Sequence, residues 1–497
     1  MTNPPTIVNN ILTSRWATLA RRLVVVFSLT AIASAPAVTL EDFGHQRMKV
    51  NGNLAVGARP LLVILLDLAN TGNFAHSNAY YDNLVFNVFN TNSAGLRSVN
   101  GYMLVNSHAR FSLTRAGVGL VGPLQLSDDQ RTKARTNDIM RAGFAISAAF
   151  AGGFNFAPFD SNGDTQITSD EVLFLIIDNL NQADSGAARW ANPDGSGGGF
   201  TPAGSTVSFS VNVGLMTQRV SFATLCHEFS HVLNTVDLYG GLNGNTVCYN
   251  YQYTLMSCTI TRPDDMLIYG LDPWHKMQLG WVDPRIRSLS TGGVETIAAA
   301  QSISATNAPV ILYDPARGPN EFFLVEYRTR TSPGGAGYED DLPSSGLGIW
   351  HVVHNGDRTI FQFTNGVPTV WLEGQPDLQP GAQVTNQLWT SGTITPLLRW
   401  SDGTATATKI VVRNFNPGDG TLTFEWLTAS DTWVDFQYNG TETGTFAQPF
   451  NTVIEGVNAV SRGGTVKFKQ GGTSAEAPFL LKPLTLEAVG GAVTIGR

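Results

Sequence analysis

A helix that must end in a sharp reversal constrains this chain more than any other feature. The stretch is Cys226-His227-Glu228-Phe229-Ser230-His231, an H-E-x-x-H pattern. Ser221 occupies an N-cap position and Phe222 to Leu233 contains no Pro or Gly, so the segment reads as helix. Histidines four apart lie one above the other on a helix face, so both imidazoles reach a single ion. Neutral imidazole suits zinc, and Glu228 stands where a carboxylate takes a proton from zinc-bound water. Asp237 follows His231 by six residues, a spacing that a continuous helix cannot return to the same ion. The chain must turn after Leu233. Asn234 stands at that turn, and Asn tolerates left-handed backbone better than any residue except Gly. Folded back, Asp237 supplies a third ligand, and three protein ligands plus water is the open coordination of catalytic zinc. The competing readings are two surface histidines on an amphipathic helix and a helix-terminal loop aspartate.

At 497 residues the chain has the length of two to four domains. Only 14% of residues are charged and 51 are Gly, a loop-rich globular composition with β-rich character. The net charge is −8 and no Lys/Arg cluster stands out, which argues against a nucleic-acid surface. The three cysteines, Cys226, Cys248 and Cys258, cannot all pair within one chain. Cys248 and Cys258 flank a stretch able to double back, so they are disulfide candidates in an exported protein. Cys226 reads as a small buried apolar residue. Arg15, Arg21 and Arg22 precede the apolar run Leu23 to Ala33, and small residues follow through Ala37. That is the pattern of an export signal over 1–37, too short to span a bilayer, which takes about 20 residues. No other segment has the length and apolarity of a span, so a secreted product is expected.

Along the chain, Leu61 to Leu66 reads as a strand buried on both faces and Tyr80 to Phe89 as helix. Ser127 caps a second helix expected to run to about Phe150, with Ile139, Gly143, Ile146 and Phe150 along one side. Asp160, Asn162, Asp164 and Glu171 then fall at positions one, three, five and twelve of a calcium-type loop, with Gln166 supplying a backbone carbonyl at seven. Thr165 replaces the usual Gly at six, and the competing reading is a solvated Asx-turn loop. Val172 to Ile177 follows as a buried strand, so a calcium loop is expected without a flanking helix pair. Ser208 to Leu215 alternates, with Phe209, Val211, Val213 and Leu215 on one face, and is the strand expected to line a cleft and pair with substrate. Past Val282 the texture becomes short strands with Gly/Pro/Asn turns. From Asp431 on, a short helix at Phe450 to Val460 precedes strands at Thr465 to Lys469, Leu480 to Leu486 and Ala492 to Ile495, as in the first coils of a parallel β-helix. His45, His76, His108, His275, His351 and His354 show no ligand spacing and read as structural or surface residues.

The motif resembles that of the immune inhibitor A family of secreted bacterial metalloproteases, H-E-x-x-H-x-x-G-x-x-D, with Asn234 where the family carries Gly. Tyr253-Thr254-Leu255-Met256-Ser257 looks like a methionine turn beneath a zinc site. Leu61 to Asp67 looks like the family's first strand, Tyr80 to Phe86 like its following helix, and Leu271 to Trp281 like the segment after the methionine turn. Glu321 to Arg328 and Gly346 to His351 look like later strands, so the likeness spans roughly residues 55 to 428.

The expected fold is an α+β zincin-like metalloprotease catalytic domain over 38–285. A β-rich subdomain over 286–428 and a short β-helix-like tail over 429–497 follow. The expected activity is zinc-dependent hydrolysis of peptide bonds in protein or peptide substrates, with His227, His231 and Asp237 holding Zn2+ and Glu228 as general base. Ca2+ is expected at Asp160, Asn162, Asp164, Gln166 and Glu171. Tyr239, Tyr249, Tyr251, Tyr253 and His275 are candidates for the second oxyanion donor. The rival is an inactive protease-like surface or adhesion protein presenting the β-rich C-terminal parts.

Overall fold

Six consecutive apolar side chains, Leu61 to Leu66, have no solvent exposure. They form most of strand β1 (Gly57–Leu66), an inner strand of a five-stranded sheet in the computed structural model. The structure describes residues 38–87, 97–180, 185–242, 245–248, 253–257, 264–302, 308–331, 338–353, 370–372, 388–416, 420–428, 431–461 and 463–496. The export-signal stretch, Tyr249, Tyr251, Cys258 and His354 lie outside them. On one side β1 pairs in parallel with β2 (Phe111–Leu124), and on the other with β3 (Leu173–Asp178). The remaining strands are β4 (Gly186–Trp190) and β5 (Asn212–Thr217), giving the order β2-β1-β3-β5-β4. Only β4 runs antiparallel, and it forms an edge.

Alternation along β1 sends Leu62, Ile64 and Leu66 into one hydrophobic cluster and leaves Leu61, Val63 and Leu65 to the other face. Helices α1 (Asn78–Phe86) and α2 (Val99–Asn106) come first in the chain, and the first face is covered by helix α4 (Asp138–Ala151), through Ala142, Ala145, Ile146 and Ala149. On β4 and β5 rests helix α5 (Phe222–Val232), the H-E-x-x-H helix. The helix expected from Ser127 to Phe150 is two helices, α3 (Asp128–Ala134) and α4. Ser127 and Gln130 close a capping box at the start of α3. Asn137 interrupts the run because its side chain accepts the Met140 amide at 3.0 Å, and Asn stabilises a helix start more than a helix interior.

The strand expected over 208–215 also divides. Ser208–Ser210 pairs with Gln166–Thr168, while β5 lies between β3 and β4. Phe209, Val211, Val213 and Leu215 share the buried face, as the alternation implied. Yet β5 is bonded along both sides and has no free edge for a substrate; among the described residues, β4 has one.

Downstream, Arg285–Ser288, Val310–Tyr313, Glu321–Arg328, Gly346–Val353 and Val370–Leu372 form one sheet in that order. Gly293–Ala298, Thr421–Thr428 and Thr408–Asn416 form another, and the two share a core built on Phe323, Tyr327, Trp400, Phe424 and Trp426. In the last seventy residues Thr432–Val434, Thr465–Phe468 and Thr485–Ala488 pair in parallel, as do Gly472–Ser474 and Val493–Ile495. The helix there is Val453–Ala459, and Leu480 to Leu484, expected as strand, is not. A third small cluster of Val434, Val453, Val457, Val466 and Phe468 holds these pieces. All three clusters belong to one contact unit, Thr39–Arg497. Among the described residues no helix is long and apolar enough to cross a membrane.

Gly143 shows how tightly this frame holds the edge of the sheet. It lies inside α4, where Gly ordinarily costs about 0.5–1 kcal/mol against Ala. A Cβ there would stand 2.3 Å from Pro193 N and 2.4 Å from Asn192 C, in the backbone that follows β4. Gly143→Ala should therefore lower stability by about 1–3 kcal/mol instead of raising it, read as a fall in melting temperature. A gain would mean that α4 and the 192–193 backbone are not in contact.

Candidate metal centre

Helix α5 begins at Ser221, whose hydroxyl accepts the Thr224 amide at 3.2 Å. It ends at Leu233, and Asn234 follows with φ +72°, the left-handed value that the sequence required there. Two backbone bonds close the reversal: Asn234 N–H to His231 O at 2.9 Å and Thr235 N–H to Ser230 O at 3.4 Å. The Asn234 side-chain amide donates to Lys49 O at 3.0 Å and ties the turn to the N-terminal hairpin.

The reversal brings Asp237 back over the histidines. Its Oδ1 lies 3.1 Å from Nε2 of His227 and 3.1 Å from Nε2 of His231, and the two Nε2 atoms are 3.2 Å apart. Each ring has its other nitrogen engaged: His227 Nδ1 donates to Leu255 O at 2.7 Å and His231 Nδ1 to Thr235 O at 2.9 Å. With Nδ1 carrying the hydrogen, both Nε2 lone pairs point at Asp237 Oδ1, a buried oxygen with no hydrogen-bond partner. Three acceptors facing one another repel unless a cation lies between them. A tetrahedral ion with bonds of about 2.0–2.1 Å separates its ligands by about 3.3 Å, close to the spacing found. His227, His231 and Asp237 are the one such group of ligand atoms among the described residues, and they can hold a divalent metal ion.

Electrostatics agree with that reading. Burial works against charge on Asp237, but the two imidazoles outweigh it and hold its carboxyl below the usual carboxylate range. Burial likewise opposes charge on His231, and the Asp237 carboxylate overcomes it and raises the ring's pKa. A proton on His231 and a metal ion thus compete for the same point between the ring and Asp237.

Beneath the site, Met256 is fully buried; its carbonyl accepts the Leu238 amide at 2.7 Å, and its sulfur lies 3.6 Å from the Thr235 hydroxyl. Above it opens a cleft of about 480 Å³ lined by Glu228, His231 and Asp237, and by Gly186 and Ala187 of β4. Gly186 could not be otherwise without disturbing Glu228, because a Cβ there would stand 2.7 Å from Glu228 Cγ and 2.9 Å from Met216 Sδ. Neither Gly186 nor β4 was apparent in the sequence. A five-residue strand of Gly, Ala, Ala, Arg and Trp has no apolar alternation, and its one signal is its position between two buried strands.

The other singled-out residues lie elsewhere. The oxygens of Asp160, Asp164 and Glu171 do not converge as the metal group does. Asp160 accepts the amides of Gly163, Asp164 and Thr165 at 2.9–3.1 Å, and Glu171 those of Ser161 and Thr168 at 2.9 and 3.0 Å. Asn162 accepts the Asp164 amide and Asp164 the Gln166 amide, both at 2.8 Å. Side chains spaced for calcium are equally spaced for Asx turns, and Thr165, with φ +64°, takes the left-handed position usually given to Gly. Cys226 is fully buried, which pushes its thiol well above the usual value, as expected of a packing residue. Tyr253 and His275 are buried beneath the site instead of lining the cleft. His351 is buried against Glu321 at 2.8 Å, and His108 is buried with its pKa pushed down to about 4 by burial.

Removing Asp237 tests the geometry directly. Asp237→Ala should weaken metal binding well beyond the roughly 10- to 100-fold typical of losing an outer-shell partner. Competition with a chelator measures it, and because the raised His231 pKa sets a proton against the ion, metal affinity of the parent should fall as pH is lowered. Unchanged affinity would place the third ligand elsewhere.

Scanned against known protein families, the chain matches no family model, and no curated protein matches it. What the centre can do follows from its own geometry.

Proposed function

We propose that this protein is an exported zinc endopeptidase of the immune inhibitor A-like kind, cleaving peptide bonds of protein substrates. The observation that carries the proposal is the pairing of a His-His-Asp metal group with a carboxylate, Glu228, in one cleft beside a free sheet edge. A bound zinc ion would supply Lewis acidity, lowering the pKa of water and polarising a carbonyl. The chain's own residues do the rest. Glu228, on the ligand helix and facing the cleft, accepts the proton of the attacking water and returns it to the leaving amine. The unpaired side of β4 offers its N–H and C=O groups to an extended peptide, which adds as a further strand and runs past Glu228. Gly186 keeps that strand close to Glu228 without a side chain between them. The acidic loop at 160–171 forms no part of this proposal.

Glu228→Gln tests the reaction. The amide keeps the shape and cannot take a proton, so metal content should hold while chelator-sensitive cleavage of casein is lost by at least about 100-fold. Activity within tenfold of the parent would sink the mechanism, and a parent that binds metal yet cleaves nothing would favour the inactive adhesion alternative. Gly186→Ala tests the clearance. It should leave metal content unchanged and lower kcat by about 10- to 100-fold, the cost of a small displacement of a reacting group. An unchanged kcat would mean that Glu228 is not held against β4.

A further inference from the structure

Asp237 is held by no helix, and the bonds from α5 reach the chain only as far as Thr235. The support comes from a helix forty residues on, α6 (Pro273–Gln278). We propose that Asp272 and His275 are a positioning pair that sets the backbone of the third-ligand loop, and through it the place of the Asp237 carboxylate. The inference rests on the metal centre described above.

Both side chains are fully excluded from solvent, and Asp272 Oδ2 lies 2.7 Å from His275 Nδ1. The far side of the ring meets the Val236 peptide next to the ligand: His275 Nε2 stands 3.0 Å from Val236 O and accepts the Val236 amide at 3.4 Å. Asp272 also accepts the Thr254 hydroxyl at 2.6 Å and the His275 amide at 2.9 Å. Thr254 begins the turn whose next carbonyl, Leu255 O, receives His227 Nδ1. One buried carboxylate therefore reaches the support of the first ligand through Thr254 and that of the third through His275. The second ligand is covered as well, since His231 Nδ1 donates to Thr235 O, one residue before Val236. The edge of the Trp274 ring system, 4.8 Å between centroids, closes the remaining side of the imidazole.

A pair whose only role was stability would be a poor choice here. Burying two polar side chains costs desolvation, and well-packed apolar residues of similar volume often serve as well or better. What the pair adds is direction: a planar ring anchored on Asp272 at one end holds the Val236 peptide at one distance and one angle at the other. Outer-shell partners of this kind are worth about 10- to 100-fold in metal affinity.

The test uses the full chain in a Glu228→Gln background, so that nothing digests itself. Asp272→Asn and His275→Phe should each weaken zinc binding by about 10- to 100-fold in chelator competition. Both should also alter the visible absorption of the cobalt-loaded protein, which reports ligand geometry. His275→Gln, which keeps a donor toward Val236, should recover part of the loss. The gain in melting temperature on adding zinc should shrink in step, whereas a purely structural pair would lower the metal-free and metal-loaded melting temperatures together. Thr254→Val removes one hydrogen bond to Asp272, disturbs folding least and should cost several-fold in affinity. Zinc affinity within twofold of the parent and an unchanged cobalt spectrum in the folded variants would overturn the proposal. None of these readouts uses peptide cleavage, so a parent that binds zinc but cleaves nothing defeats the proposed reaction alone.

Discussion

Two short bonds, His227 Nδ1–H to Leu255 O and His231 Nδ1–H to Thr235 O, set the chemistry of the centre. They decide which nitrogen of each ring is bare. With the hydrogens on the far side, Nε2 of both rings and Oδ1 of Asp237 present lone pairs to one point. Reverse either ring and an N–H would fill that point, satisfying Asp237 and closing the site to a cation. The Thr235 carbonyl comes from the reversal that ends α5 and the Leu255 carbonyl from a segment that meets α5 only through the tertiary fold, so the donor set is a property of the assembled protein and not of the H-E-x-x-H helix alone.

That assembly explains why the sheet matters to the site. Helix α5 lies across the β5–β4 end, where the last strand reverses direction and leaves one edge open. Glu228 lies close against that edge because Gly186 places no side chain between them. An alanine at 186 would meet Glu228, and one at 214 would press on Leu175 at 3.2 Å. Small residues here trade packing area for the approach of a backbone to a carboxylate, an exchange that makes sense at a site and little elsewhere. The cost is offset one layer away, where α4 and the Leu62-Ile64-Leu66 face form a dense apolar cluster.

Much of this could be read from the sequence where one local rule decided the outcome. The α5 boundaries followed from Ser221 and from the absence of Pro and Gly, and the reversal followed from Asn234 and the Asp237 spacing. β1 and β3 followed from unbroken apolar runs, and Glu321–Arg328 followed from the family resemblance. Where two rules competed, the reading failed. The helix periodicity of 127–150 hid the capping preference of Asn137, and the alternation of 208–215 gave the right buried face but nothing about neighbours. Pairing is non-local: whether β5 is an edge depends on 186–190, a segment with almost no pattern of its own. The acidic loop shows a different limit, because Asp and Asn at alternate positions serve a cation or the loop's own amides equally well.

Asn234 shows how a departure from a pattern can be absorbed. At this position Gly would reach φ +72° with no steric cost, whereas Asn carries a modest one. The Asn side chain brings what Gly cannot, a donor that reaches Lys49 O at 3.0 Å. Lys49 lies in a hairpin that is itself fastened at both ends. Met48 N–H donates to Gln278 O at 3.0 Å, and Asn51 and Asn53 bond the Asp170 carboxylate at 2.9 and 2.5 Å. The turn that delivers the third ligand is thus bonded to a hairpin that also meets α6 and the 160–171 loop. A glycine turn would owe its shape to backbone preference alone. The asparagine turn owes part of its shape to residues nearly two hundred positions away, so the metal loop and the start of the fold are ordered together.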